Sequence, residues 1–168
     1  DTSRLKKGEF VEKGSPGTGR WWAVGAAISF YLSKRHGFQG VGVVSPYRRQ
    51  VQLTQSQLND GGGRAVEVGT AHSFQGREFP VVIFDLVEDG AGTSWVAKAD
   101  RSGTKWQREG ARLFNVATTR NGGRLYVIAN LRTILAAKVG PLRELAKLAD
   151  TKSVVIWDAR DVLGDSPS

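Results

Sequence analysis

Residues 66–86, VEVGTAHSFQGREFPVVIFDL, constrain the fold of this chain more than any other stretch. Two apolar β-type runs, residues 66–68 and 81–86, bracket a polar turn that holds Thr70, His72, Ser73, Gln75, Gly76, Arg77 and Glu78. Strands apolar on both faces sit inside a sheet covered by helices. The turn between two of them is expected at one edge of that sheet, where open α/β sheets take their ligands. Hydroxyl, imidazole, amide and carboxylate groups so close together supply donors for phosphate and an acceptor for a sugar hydroxyl. Gly76 permits close approach of the backbone. The same residues also suit a plain polar connection between core strands.

Around this stretch, strands alternate with helices. Residues 21–35 place Val24, Ile28, Tyr31 and Leu32 at spacings of three and four, which predicts an amphipathic helix ending in basic residues. An apolar run, residues 40–44, stops at Ser45-Pro46. A second helix follows, with Tyr47, Val51, Thr54 and Leu58 on one stripe and Arg48, Arg49, Gln50 and Gln52 largely off it. Ser45, Tyr47 and the two arginines suit phosphate oxygens, or else a packed tyrosine and two solvated cations. Residues 111–120 read as a helix with Leu113, Val116, Ala117 and Arg120 on one stripe. Arg120 then serves either as a cation against the helix dipole or as a guanidinium held at a cleft for an anion.

Residues 125–129 read as a further strand, residues 131–149 as two short helices broken at Gly140-Pro141, and residues 154–157 as a last strand. The expectation is an α/β, three-layer, doubly wound and mostly parallel sheet of about five strands over residues 21–158. Residues 1–20 read as a linker or torn edge and residues 159–168 as a polar tail. Residues 88–110 are long for a connection and suggest a lid, an insertion or small elements, with Trp95 and Trp106 suited to core packing or base stacking.

The composition removes several classes of function. With no cysteine there is no disulfide, zinc-thiolate site or thiol catalysis. An intracellular location fits the lack of cysteine, and no apolar run reaches the length of a membrane span, so no membrane-spanning segment is expected. No cluster of metal-ligating residues and no phosphate loop of the G-x-x-x-x-G-K-[ST] type is present; GSPGTG at residues 14–19 imitates the loop in composition only. The net charge of +8, from 24 Lys and Arg against 16 Asp and Glu, favours a polyanionic partner, nucleic acid being the usual one and an acidic protein or a membrane surface the alternatives.

Three blocks in one order carry more information than any one of them. VGVVSPYRRQ (residues 41–50), VGTAHSFQGREFPVVI (68–83) and NVATTRNGGRLYVIAN (115–130) resemble motifs IV, V and VI of superfamily 1 helicases. The resemblance is strongest to the second, C-terminal RecA-like domain in the nonsense-mediated-decay and Dna2-type subgroup. It implies that Arg120 is the arginine finger on the ATP γ-phosphate, that Gln75 and Gly76 lie beside that phosphate, and that Glu78 accepts from a ribose hydroxyl. It further implies that Ser45, Pro46, Tyr47, Arg48, Thr70 and His72 lie along single-stranded DNA or RNA. The implied cofactors are ATP and Mg2+, the metal held mainly by an N-terminal RecA-like domain of the same parent chain, without which this domain is expected to be inactive.

Two departures bear on the resemblance. Asn121 and Gly122 stand where Ala and Arg are usual in the third motif, and Gly122 makes no ionic contact. The His of the HSFQG turn is closer to the T-x-H form common in the DNA-translocating branch than to the T/S-x-D form, and this mixture leaves DNA or RNA open as the substrate. The competing reading is a catalytically inactive nucleic-acid-binding or protein-interaction module derived from such a domain.

Overall fold

The computed structural model of the chain describes residues 1–5, 12–13, 19–88, 96, 98–119 and 121–164. Strands β1 (Glu12–Lys13) and β2 (Arg20–Trp21) form a short antiparallel ribbon. The main sheet has four strands, β3 (Val41–Val44), β4 (Glu67–Gly69), β5 (Phe79–Asp85) and β6 (Asn121–Ile128), all parallel and in the order β4-β3-β5-β6.

Helices α1 (Ala23–Arg35) and α2 (Arg48–Asp60) and the terminal α6 (Ala159–Gly164) cover one face, through Ile28, Leu32, Leu58 and Val162. The other face carries α3 (Lys105–Thr119), α4 (Leu131–Leu135), α5 (Gly140–Ala149) and a 3₁₀ turn, Ala71–Phe74. The result is the α/β, three-layer, mostly parallel arrangement that the alternation of strands and helices predicts, and it is consistent with the RecA-like fold that the motif resemblance implies.

Side-chain alternation divides β5 between the two layers. Val81 and Ile83 enter the α1/α2 side and Val82 and Phe84 the α3 side. Val82, Ile83 and Phe84 are fully buried, each contributing about 1.5–3 kcal/mol of transfer free energy. Gly140 and Pro141 start α5 rather than breaking a helix, with proline in the first turn where it forfeits no hydrogen bond.

The last expected strand does not form. Residues 154–157 belong to no helix or strand and lie outside any ladder among the described residues, with Val155 77% exposed. An apolar run makes a strand only where a partner edge lies alongside. The N-terminal stretch expected to be a loose linker is anchored at both its described ends: Thr2 N donates to Ala129 O at 2.9 Å, and β2 leads directly into α1. The second half of residues 88–110 begins α3 six residues earlier than expected, at Lys105 rather than Ala111. Trp95, the side chain of Trp106 and most of GSPGTG lie outside the described residues.

Candidate functional site

Parallel strands bring Ser45 and Thr70 to one edge of the sheet. Val44 pairs in register with Gly69, and Ser45 N donates to Gly69 O at 3.1 Å, so the turns that follow β3 and β4 leave side by side. Ser45 and Pro46 are buried, and the Ser45 hydroxyl lies 3.5 Å from the Tyr47 N–H that it faces at the start of α2. Tyr47 is half-buried and Arg48 exposed. Arg49 lies over the Trp21 ring, 5.1 Å from its centroid. Two arginines thus occupy the positive end of α2, whose first turn has no acidic residue. That placement is unfavourable for an isolated helix and suits one that meets an anion.

The loop after β4 crosses the sheet. Gly69 is level with Phe84 near the end of β5, whereas the loop delivers the chain to Phe79 at its beginning. The expectation that the whole turn emerges at one edge therefore holds for Thr70 but not for Gln75, Gly76 and Glu78. Register explains the difference: parallel strands joined by a crossover must return the chain to the edge from which the first one started.

The crossing passes over β3 at Gly42. A Cβ there would lie 2.6 Å from the Phe74 ring and 2.9 Å from that of Phe79. The two rings pack against each other with centroids 5.0 Å apart. Gly69 likewise makes room for Ser73, whose hydroxyl donates to Thr70 O at 2.6 Å. His72 stands exposed on this 3₁₀ turn.

At the opposite edge, Gln75, Gly76 and Glu78 are all exposed. Gly76 has φ +78°, and a Cβ there would meet nothing within 4 Å, so glycine is needed for the backbone turn rather than for space. Arg77 pairs with Glu67 at the start of β4 and rests against the Phe79 ring. The register pair Phe79 with Asn121 sets the end of α3 and the start of β6 beside Glu78. Arg120 itself lies outside the described residues, between Thr119 and Asn121. An exposed carboxylate, an amide and an open glycine backbone fit a polar ligand arriving from solvent. Among the described residues no group of three His, Cys, Asp or Glu is placed to hold a metal.

One polar cluster escaped the sequence reading. Gln50, expected off the buried stripe, is 0% exposed. Its carbonyl accepts from Trp22 N at 2.8 Å, and its amide donates to Trp22 O at 3.2 Å and to Asp85 at 2.9 Å. Asp85 also accepts from the Trp22 indole at 3.1 Å and from Val87 N at 3.0 Å. Burial pushes the Asp85 carboxyl up to about 7, against the opposing pull of these donors. The cluster fixes the first turn of α2, and with it Tyr47 and Arg48, against β5. Its signal in the sequence was the amide itself, polar and one turn into a helix beginning at a sheet edge.

Known proteins match the same region. An AAA domain family model matches residues 23–132, more than half of the chain and all three motif blocks. The DNA replication ATP-dependent helicase/nuclease DNA2 of Xenopus laevis is 28% identical over 139 residues, which cover 80% of this chain and 12% of that protein. The DNA2 protein of Bos taurus is 26% identical over 117 residues, covering 69% and 10%. A probable helicase of Dictyostelium discoideum is 30% identical over 98 residues, covering 56% and 9%. The chain therefore spans only 9% to 12% of the length of these curated relatives. It belongs to the AAA domain family, and its likeness to DNA2-type helicases supports a superfamily 1 helicase domain.

Proposed function

We propose that this chain is the C-terminal RecA-like motor domain of an ATP-dependent helicase or translocase acting on single-stranded nucleic acid, with DNA favoured by the names of its relatives. The observation that carries the reading is the loop from Thr70 to Glu78, which starts beside Ser45 at one sheet edge and ends beside the α3–β6 junction at the other. In this reading the segment, with its single 3₁₀ turn, links a nucleic-acid face directly to a nucleotide face.

In this reading Tyr47, Arg48, Thr70 and His72 line the strand, with Ser45 and Pro46 shaping the turn that presents them. Glu78 accepts a hydrogen bond from a ribose hydroxyl, while Gln75 and the open backbone at Gly76 face the phosphates. Arg120, which follows Thr119 in the sequence, neutralises charge that develops on the transferred phosphoryl group. The remaining parts, including a phosphate-loop lysine and the ligands of Mg2+, belong to an N-terminal RecA-like domain of the parent chain. Closing of the two domains completes both sites, and their parting releases the grip on the strand, so the chain alone turns over no ATP.

Replacement of Arg120 by alanine in the parent protein tests this assignment. ATP turnover stimulated by single-stranded nucleic acid should fall about 1,000-fold, while affinity for the strand stays within about twofold. Turnover that survives the substitution would remove the finger from Arg120, and a parent that binds strand but never hydrolyses ATP would identify an inactive binding module.

A further inference from the structure

The outer edge of β6 lines a groove of about 680 Å³, to whose lining residues 153–157 also contribute. Ile28 and Leu32 of α1 close one face of the groove, and Ile134, Leu145 and Leu148 close the other. The walls are largely apolar, with Arg124 and Ser153 among the polar exceptions, and they explain an otherwise unfavourable exposure: Leu148, Val154, Val155 and Ile156 are all 40% exposed or more.

Asp1 and Thr2 sit at one end of this groove, and their hydrogen bonds have the pattern of a central strand. Asp1 N donates to Trp157 O at 2.6 Å, and Asp1 O accepts from Ala159 N at 2.8 Å. These two bonds flank Asp158 as a parallel ladder requires. The next N–H, that of Thr2, points the opposite way and donates to Ala129 O, at the end of β6. Alternate donors thus reach the 153–157 arm on one side and β6 on the other, and the line of this backbone, traced back from Asp1, runs down the groove.

We propose that the groove is a slot for one more β-strand, parallel to β6 and to residues 153–157, and that its occupant is the stretch of the parent polypeptide that leads into Asp1. The sheet then extends from β6 through this strand to the 153–157 arm, which becomes the last strand that its sequence predicts. The side of the slot formed by residues 123–129 is about 20 Å long at ~3.3 Å per residue, enough for an extended run of about six residues. Covered on both faces, that run is apolar and β-branched. The proposal rests on the chain being one domain of a longer protein, which the 12% coverage of its Xenopus laevis relative supports. It needs neither the ATP nor the nucleic-acid assignment.

Hydrogen–deuterium exchange on the parent protein, without nucleotide or nucleic acid, reads the slot directly. Amides of residues 123–129, of residues 154–157 and of the six residues before Asp1 should all exchange at least 100-fold more slowly than in an unstructured peptide. Proline at the third residue before Asp1 should lower protection in both walls at least tenfold. A Val155→Cys substitution paired with a cysteine in that upstream stretch should give a disulfide within one chain, which holds the test open if the proline variant fails to fold. Upstream amides that exchange freely would overturn the proposal. So would a disulfide only between chains, which would make a second copy the occupant.

Discussion

The Gln50 amide donates to the Asp85 carboxylate at 2.9 Å and thereby ties the first turn of α2 to the C-terminal end of β5. Trp22 completes the cluster from the start of α1, through both its backbone and its indole. Three elements that meet at the proposed nucleic-acid edge are thus held by one buried carboxylate rather than by apolar packing alone, and an unpaired partner in such a cluster costs about 1–3 kcal/mol.

This carboxylate gives the fold a pH dependence of predictable sign. Asp85 ordinarily titrates near 3.8, and in the folded chain it is raised to about 7, mainly by burial. Between those values the folded state holds a proton that the unfolded state has lost, so stability falls as pH rises from about 4 to about 7 and levels off beyond. The change is on the order of a few kcal/mol. Urea midpoints measured across this range should show the fall in the native chain and a flatter curve in Asp85→Asn. Parallel curves would mean that Asp85 is not the titrating group.

Gly25 offers a test in which a general rule reverses. Alanine in place of an interior helix glycine usually stabilises by about 1 kcal/mol. Here a Cβ would lie 1.9 Å from the Trp22 indole nitrogen and 2.3 Å from an Asp85 carboxylate oxygen. Both groups are buried and bonded to each other, so neither yields cheaply. Gly25→Ala should destabilise the chain by about 2–3 kcal/mol, with a lower urea midpoint and an unchanged slope. A gain in stability would show that the cluster is not formed as described.

The alternation of apolar runs with helical stripes made the layers and most strands legible, because burial on both faces of a parallel strand leaves a mark in the sequence itself. Gln50 was missed because a polar side chain off a helical stripe reads as solvated. Its burial depends on Trp22 and Asp85, which are distant in sequence. The crossing of residues 70–78 was illegible for a related reason: which edge a loop ends on is set by register between β4, β3 and β5, not by composition. Residues 154–157 have strand chemistry but no ladder, since pairing needs an edge as well as a propensity.

Gly42 is where the crossing loop is most exposed to a single substitution. Its missing side chain lets Phe74 and Phe79 lie on β3, and a Cβ would be within 2.9 Å of both rings. Gly42→Ala should cost about 1–3 kcal/mol and displace the 3₁₀ turn. Limited proteolysis after Arg77 should then speed up relative to cleavage elsewhere. Equal loss of protection at all sites would indicate general destabilisation and no special hold on the loop.

His72 and Glu78 lie on one loop but near opposite sheet edges, and the proposed function requires their substitutions to separate. Both are exposed, so neither replacement disturbs the core. In the parent protein, His72→Ala removes a contact to the strand. It should weaken single-strand binding about threefold to tenfold while leaving KM for ATP unchanged. Glu78→Gln keeps the shape but loses the charge that strengthens a bond from a ribose hydroxyl. It should raise KM for ATP about tenfold and leave strand affinity alone. Deoxy-ATP sharpens the second arm: if Glu78 meets a sugar hydroxyl that the analogue lacks, the native and Gln proteins should handle the analogue equally. Substitutions that shift both ligands to the same degree would show one undivided site and would end the reading of this loop as the link between two.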